Sequence, residues 1–116
     1  MIKDYSKNYN DLTKSMNALG LKIPETMEAF NALHKSSISK GVLTAKTKEL
    51  IALGIAISVR CDGCIAFHVH DALKAGATSE DILETIGVAI LMGGGPALVY
   101  GCEAMEALEQ FAILEN

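Results

Sequence analysis

The stretch RCDGCIAFHVHD, residues 60–71, carries reactive residue types at helical spacing. Cys61 and Cys64 are three residues apart, and His68 follows four residues later. A helix turns about 100° per residue, so these three side chains lie within one arc of a helix surface. His70 points about 200° around the helix from His68 and is expected at a surface or interface. We therefore expect the two cysteines and His68 to act together.

Redox chemistry of the cysteine pair has a definite physical basis. Cys61 lies where a helix begins, and the unpaired backbone N–H groups there stabilise a thiolate, the reactive form. The three-residue spacing brings both sulfurs within disulfide reach, and an exposed disulfide of this kind is easily reduced again. His68, one turn beyond Cys64, can take or return a proton near neutral pH. Asp62 opposes thiolate formation while favouring the helix start, so its net effect stays open.

Two other interpretations of the same stretch stay open. A closed zinc site would need a fourth ligand such as Cys102 or His34, because one continuous helix does not bring four ligands to a tetrahedral point. Small cysteines and a histidine can also pack in an ordinary helical core. Outside a zinc site, Cys102 is interpreted as a small residue of the last helix. His34 lies near a helix end, where a cation is favoured.

Composition limits the class of protein. The chain has 116 residues, half of them apolar, and a net charge of −4, which fits a single domain over residues 1–116. The basic residues do not cluster as a phosphate-binding surface requires, so nucleic acid is not an expected partner. We expect a cytoplasmic protein without a membrane span, because the start is polar and no uninterrupted apolar run reaches about 20 residues. In a reducing compartment, a close cysteine pair is more typical of catalysis, redox cycling or metal binding than of a structural disulfide.

Glycine and proline divide the chain into segments of helical length, and strand alternation is hard to find, which predicts an all-α bundle of about six helices. The first predicted helix runs from about Tyr5 to Ala18 and ends at Gly20, and the second runs from Pro24 through Leu33. The third is capped by Thr44 and has its body at Glu49–Val59, and the fourth runs from Cys61 or Asp62 to Gly76. The fifth runs from Thr78, with its capping-box partner Asp81, through Met92, and the sixth from Ala97 to about Leu114. The third helix is apolar on nearly every side and is predicted to be central and buried. So much apolar surface in a short chain also predicts a homo-oligomer.

Glu49 stands just before the apolar run LIALGIAISV. An acid at the entrance to a buried helix either pairs with the helix dipole or serves as a placed proton acceptor. Its position alone favours the first interpretation.

Glu49, Cys61, Cys64 and His68 together resemble the E-x11-C-x2-C-x3-H signature of the alkylhydroperoxidase D-like branch of the carboxymuconolactone decarboxylase family. The segments ALKAGATSEDI and MGGGPALVYG are also similar to that family, and the resemblance covers about residues 44–108. It implies an all-helical bundle that assembles into trimers or hexamers. It also implies an enzyme with thiol peroxidase or disulfide reductase activity, an antioxidant activity of the peroxiredoxin type. This chemistry requires no organic cofactor and no metal.

The resemblance also implies roles for the four residues. Glu49 and His68 form a proton relay, while the cysteines cycle between dithiol and disulfide, with a peroxide or disulfide as substrate and an external dithiol or protein as reductant. In the family Cys64 would attack the peroxide, whereas the helix N-terminus favours Cys61 as the thiolate, so the division of labour stays open. Gly63 stands where better-characterised members often carry a histidine, which favours thiol–disulfide exchange over high peroxidase activity. The alternatives are a zinc-binding or structural module, or a decarboxylase-type lyase that uses His68.

Overall fold

The computed structural model describes residues 3–115, with side chains up to residue 113. Over these residues the chain forms six α-helices and no strand, so the predicted all-α fold of about six helices is confirmed. The helices are α1 (Tyr5–Lys22), α2 (Pro24–Ile38), α3 (Ala45–Ser58), α4 (Asp62–Lys74), α5 (Ser79–Gly93) and α6 (Gly95–Glu115). None of the helices in this part of the chain combines the length and apolar character that a bilayer crossing needs.

The predicted helix caps are confirmed. The Thr44 hydroxyl accepts the Thr47 N–H at 3.1 Å at the start of α3. At the start of α5 the Thr78 hydroxyl accepts the Asp81 N–H at 3.1 Å, and the Asp81 carboxylate accepts the Thr78 N–H at 2.9 Å. This reciprocal capping box satisfies two backbone donors, and the hydrogen bond from the Thr78 backbone lowers the pKa of Asp81. Pro24 occupies the first turn of α2, as expected.

The predicted end of the first helix at Gly20 is wrong. α1 continues to Lys22 and is followed by α2 after Ile23 alone. A Cβ atom added at Gly20 would come within 3.1 Å of Met27 Cγ. Gly20 therefore allows a close approach of the two helices within the hairpin, a packing role that a helix-stop interpretation does not capture.

The core lies between α3, α4, α5 and α6, with α1 packed across α4 and α6. Its largest fully buried side chains are Tyr5, Leu53, Ile57, Ile65, Ile82 and Val69. α2 contributes no buried residue and lies outside this core. The core therefore fixes the relative positions of α3 and α4, the two helices that carry the candidate reactive residues.

The third helix is buried on one side only, so the prediction of burial on nearly every side is wrong. Its residues Leu53 and Ile57 are fully buried, whereas Ile51 and Ile55 are 48% and 57% exposed. The exposed side of α3 and the facing side of α5 line an open apolar cavity of about 450 Å³. Apolar periodicity around the whole helix could not distinguish a core contact from an uncovered surface, and such surfaces are typical of association sites. The homo-oligomer stays a prediction.

Candidate active site

The turn between α3 and α4 fixes Cys61 through the backbone. The Cys61 N–H donates to the Ala56 carbonyl at 3.0 Å, and the Arg60 N–H donates to the Ile57 carbonyl at 3.2 Å. This pair of hydrogen bonds is a Schellman motif, with Arg60 in the left-handed conformation at φ 61°. Cys61 is also the N-cap of α4, since its carbonyl accepts the Ile65 N–H at 2.9 Å. One residue thus ends the α3 turn and begins α4.

Cys61 and Cys64 form a disulfide, with their Cα atoms 5.2 Å apart. This separation is within the usual range for disulfides, so the first turn of α4 accommodates the oxidised pair. The Cys64 N–H points at Cys61 Sγ, 3.3 Å away. In the reduced protein the same donor would stabilise a thiolate on Cys61. The prediction that the two sulfurs come within disulfide reach is confirmed.

Glu49 and His68 meet where α3 packs on α4. His68 Nδ1 lies 3.5 Å from Glu49 Oε2, and the Glu49 side chain is only 5% exposed. The other carboxylate oxygen of Glu49 is buried and has no hydrogen-bond partner among the described residues. A buried carboxylate is costly unless it is paired, and a free oxygen can still accept a proton or a water. Glu49 is therefore a buried carboxylate with one unpartnered oxygen, which differs from a solvated partner of the helix dipole.

The sequence-predicted site residues thus form two contacting pairs on α3 and α4. Glu49 contacts His68 across the helix interface, and Cys61 is bonded to Cys64 at the start of α4. Cys102 is an exposed free cysteine on α6 and takes no part in the disulfide. The arrangement places a buried carboxylate and a partly exposed histidine on the same helix pair as the cysteine motif.

Residues 3–115 do not supply the ligand set that a zinc site needs. No three histidine, cysteine, aspartate or glutamate side chains in this range converge on a point that could hold a metal. His34, one of the two suggested fourth ligands, is exposed on α2, and Cys102, the other, is exposed on α6.

His70 lies in an aromatic cluster between α1, α4 and α6. Its ring stacks on Tyr9 with centroids 4.3 Å apart and meets Phe111 edge-on at 5.5 Å. Its Nδ1 lies 2.9 Å from Asp71 Oδ1. His70 therefore belongs to an interface between helices of this chain, and it has different partners from those of His68.

A charged network around Asp62, the residue that follows Cys61, was not predicted from the sequence. Lys3 Nζ lies 2.7 Å from Asp62 Oδ2 and 2.9 Å from Glu103 Oε1. The Tyr5 hydroxyl donates to the same Glu103 oxygen at 3.1 Å. The hydrogen bond to Asp62, and after it that to Glu103, raises the pKa of Lys3, while burial raises the pKa of Tyr5. Glu103 was the detectable signal, because it is an acid within the largely apolar stretch GPALVYGCEAM.

The six-helix fold and the cysteine pair at the start of α4 define a helical protein with a candidate thiol redox centre. The carboxymuconolactone decarboxylase family matches residues 24–107 of the sequence. The chain belongs to this family.

Solved structures and sequence relatives agree with this assignment. A carboxymuconolactone decarboxylase family protein from Legionella pneumophila is 42% identical, with a TM-score of 0.90 over 93% of this chain and 96% of that one. A family member from Thermotoga maritima, for which an involvement in antioxidative response has been suggested, is 28% identical, with a TM-score of 0.81 over 90% of this chain and 92% of that one. An uncharacterized protein from Cupriavidus necator is 36% identical over 105 residues, which are 90% of this chain and 93% of the relative.

Proposed function

We propose that the protein is a thiol-dependent oxidoreductase of the alkylhydroperoxidase D-like branch, which reduces a hydroperoxide or a disulfide. The observation that carries the proposal is the Cys61–Cys64 disulfide at the start of α4, on the helix whose His68 meets a buried Glu49. The antioxidative response suggested for the Thermotoga maritima relative is consistent with this function.

In the peroxidase reaction, a thiolate of the pair attacks one peroxide oxygen and the O–O bond breaks. The products of this step are a sulfenic acid and, after protonation, an alcohol. The second thiol of the pair then attacks the sulfenic sulfur, so that a disulfide forms and water leaves. Two electrons pass from the two thiols to the peroxide, and an external dithiol restores the pair by exchange.

The Glu49–His68 pair is proposed to handle the protons. His68 takes the proton of the attacking thiol and returns it to the alkoxide or hydroxide that leaves. The Glu49 carboxylate, 3.5 Å from His68 Nδ1, holds the ring and stabilises its positively charged form.

Gly63 favours the disulfide-exchange form of the activity. A Cβ atom at this position would come within 2.8 Å of Leu12 Cδ2, so the Leu12 side chain occupies space that a larger residue would need. The histidine that related proteins often carry before the second cysteine has no counterpart in this chain, where the position is glycine. In exchange, a thiolate attacks a substrate disulfide and the second thiol resolves the mixed disulfide, and two electrons are again transferred.

Thiol mapping by intact mass tests the proposal directly. Reduced protein is exposed to one equivalent of hydroperoxide, or in parallel to a small disulfide, then denatured and alkylated, and the protected thiols are identified. We expect Cys61 and Cys64 to become protected together within seconds, while exposed Cys102 stays alkylatable as an internal control. If all three thiols are still alkylated, or protection comes only with slow over-oxidation, the proposal is wrong.

A further inference from the structure

The start of α4 places a carboxylate next to a cysteine that must ionise in order to react. Asp62 directly follows Cys61 and lies in the first turn of α4. Its carboxylate is favourable for the helix dipole, but a neighbouring negative charge disfavours ionisation of a thiol. Reduction of the disulfide can add one more negative charge at Cys61. The repulsion between Asp62 and Cys61 is therefore greatest in the reduced state, which is the state that must react.

A lysine ammonium lies close enough to the Asp62 carboxylate to offset its negative charge. Lys3 Nζ lies 2.7 Å from Asp62 Oδ2 and 2.9 Å from Glu103 Oε1, and the Glu103 side chain is only 8% exposed. Lys3 itself is 38% exposed. One ammonium group therefore bridges two carboxylates, one at the start of α4 and one on α6.

The position of Lys3 is secured by the backbone on either side. Gln110 Nε2 donates to the Lys3 carbonyl at 2.6 Å, and the Tyr5 N–H donates to Gln110 Oε1 at 2.7 Å. The Tyr5 ring is fully buried and its hydroxyl bonds Glu103. These contacts fasten the segment before α1 to α6, so the lysine is not a freely moving surface cation.

The titratable and charged groups around the start of α4 come from several elements. They are Lys3 before α1, Tyr5 in α1, Glu49 in α3, Arg60 in the turn, Asp62 and His68 in α4, and Glu103 and Glu106 in α6. In this group, the ammonium of Lys3 is the cation that contacts the Asp62 carboxylate. The exposed Arg60 side chain adds a second positive charge next to Cys61 in sequence.

We propose that Lys3 is a positioning residue for the thiol pair: its bridge to Glu103 and Asp62 neutralises the Asp62 carboxylate and holds it in place, so that Cys61 ionises readily after reduction. This inference rests on the proposed function, since it concerns the reactivity of the reduced pair. It assigns a role to Asp62 and Lys3 as a unit, in which the acid supports the helix start and the lysine offsets part of its effect on the thiol.

The test measures Cys61 alone. In a Cys64→Ser/Cys102→Ser background, the rate of iodoacetamide alkylation against pH gives the pKa of the single remaining thiol. We expect Lys3→Met to raise this pKa by about half to one pH unit and to slow alkylation at pH 7 about three- to tenfold. In the Asp62→Asn background the same lysine substitution should have little effect, because the carboxylate that it neutralises is gone.

Matched variants separate charge from structure. Lys3→Arg keeps the cation and should keep the rate of alkylation close to that of the background protein. Lys7 makes a 2.8 Å pair with Asp11 on the exposed side of α1, so Lys7→Met removes a lysine ion pair away from α4 and should not change the Cys61 pKa. The proposal is overturned if Lys7→Met acts as strongly as Lys3→Met, or if Lys3→Met slows alkylation equally with and without Asp62.

Failure of this proposal is distinguishable from failure of the proposed function. An unchanged Cys61 pKa in Lys3→Met of the single-thiol background, together with rapid peroxide protection of the pair in Lys3→Met protein with all three cysteines, would remove the role of Lys3 and leave the oxidoreductase intact. A raised pKa with no peroxide or disulfide reaction in any variant would support the electrostatic role and reject the oxidoreductase.

Discussion

The two turns that flank α4 share a backbone design and differ in their residues. After α3 the Cys61 N–H bonds the Ala56 carbonyl at 3.0 Å, and after α4 the Ala77 N–H bonds the Ala72 carbonyl at 2.9 Å. Both turns place one residue in the left-handed conformation. After α4 that residue is Gly76, with φ 98°, which is the usual choice because glycine has no Cβ.

After α3 the left-handed position is occupied by Arg60, with φ 61°. A residue with a Cβ gives up about 1–2 kcal/mol in this conformation. The following helix starts also differ: α5 has the two-bond capping box of Thr78 and Asp81, while α4 has only the weak acceptor Cys61 Sγ, 3.3 Å from the Cys64 N–H. Two features that lower stability, the left-handed arginine and the weak N-cap, therefore occur together at the cysteine end of α4.

This difference is what we expect if the cysteine end of α4 serves the proposed redox chemistry and the other end serves stability. Strained backbone and suboptimal caps concentrate at functional sites, where the surrounding structure holds them in place. Here the fully buried Ile57 and Ile65 anchor the turn on either side of Cys61. Substitutions at matched positions of the two turns should therefore separate activity from stability.

The largest expected effect is on turnover. Cys61→Ser or Cys64→Ser should abolish peroxide or disulfide reduction, because the pair can no longer form a disulfide. Compared under reducing conditions, Cys61→Ser should nevertheless be about 1 kcal/mol more stable than Cys61→Ala, since serine is a preferred N-cap. Turnover assays and chemical unfolding check both results. Residual turnover in both serine variants would contradict the assignment of the redox pair.

The acid-base pair should show the next largest effect. Glu49→Gln and His68→Gln should each lower turnover about 10²- to 10⁴-fold, the usual size for a lost acid-base partner. His70→Gln is a control on the same helix, because the contacts of His70 are with Tyr9 and Asp71 and those of His68 are with Glu49. Turnover is measured across a range of pH for all three variants. Full activity of both relay variants across that range would eliminate the relay.

Gly76→Ala should destabilise the protein by about 1–2 kcal/mol, because alanine is strained where φ is positive. No side chain obstructs the new methyl group, since nothing lies within 4 Å of a Cβ built at Gly76. The loss can therefore be attributed to the backbone. Unfolding by urea measures the effect, and turnover of the folded variant should equal that of the parent protein. A lower turnover would show that this end of α4 also serves the chemistry.

Arg60→Gly should have the opposite and smallest effect, a stabilisation of about 0.5–1 kcal/mol. Relief of the left-handed strain is partly offset because glycine gains freedom in the unfolded chain. The same urea experiment compares this variant with Gly76→Ala. A loss of stability in Arg60→Gly would mean that the arginine side chain contributes more than its backbone strain removes, and the contrast between the two turns would then fail.

Local features of the fold were predictable because they depend on residues close in sequence. The caps at Thr44 and Thr78, the first-turn position of Pro24 and the disulfide reach of the cysteine pair all act over three or four residues. The predicted end at Gly20 was wrong because glycine also serves close helix packing, and that role depends on Met27 of the next helix.

The candidate site was only partly predictable. The resemblance selected all four of its residues, yet the position of Glu49 alone favoured a partner of the helix dipole. Its burial and its contact with His68 depend on the packing of α3 against α4. The apolar pattern of α3 likewise did not reveal that Ile51 and Ile55 stay uncovered in one chain.

By itself, the sequence determined six helices, the caps at the starts of α3 and α5 and the spacing of a cysteine pair at a helix start, because these follow from backbone geometry within one or two turns. Only the tertiary structure decided that Glu49 meets His68 and that Lys3 reaches Asp62, contacts that span 19 and 59 residues. The physical reason is that such contacts require the shared core to bring distant helices together, and a side chain is buried or paired only after that packing has formed.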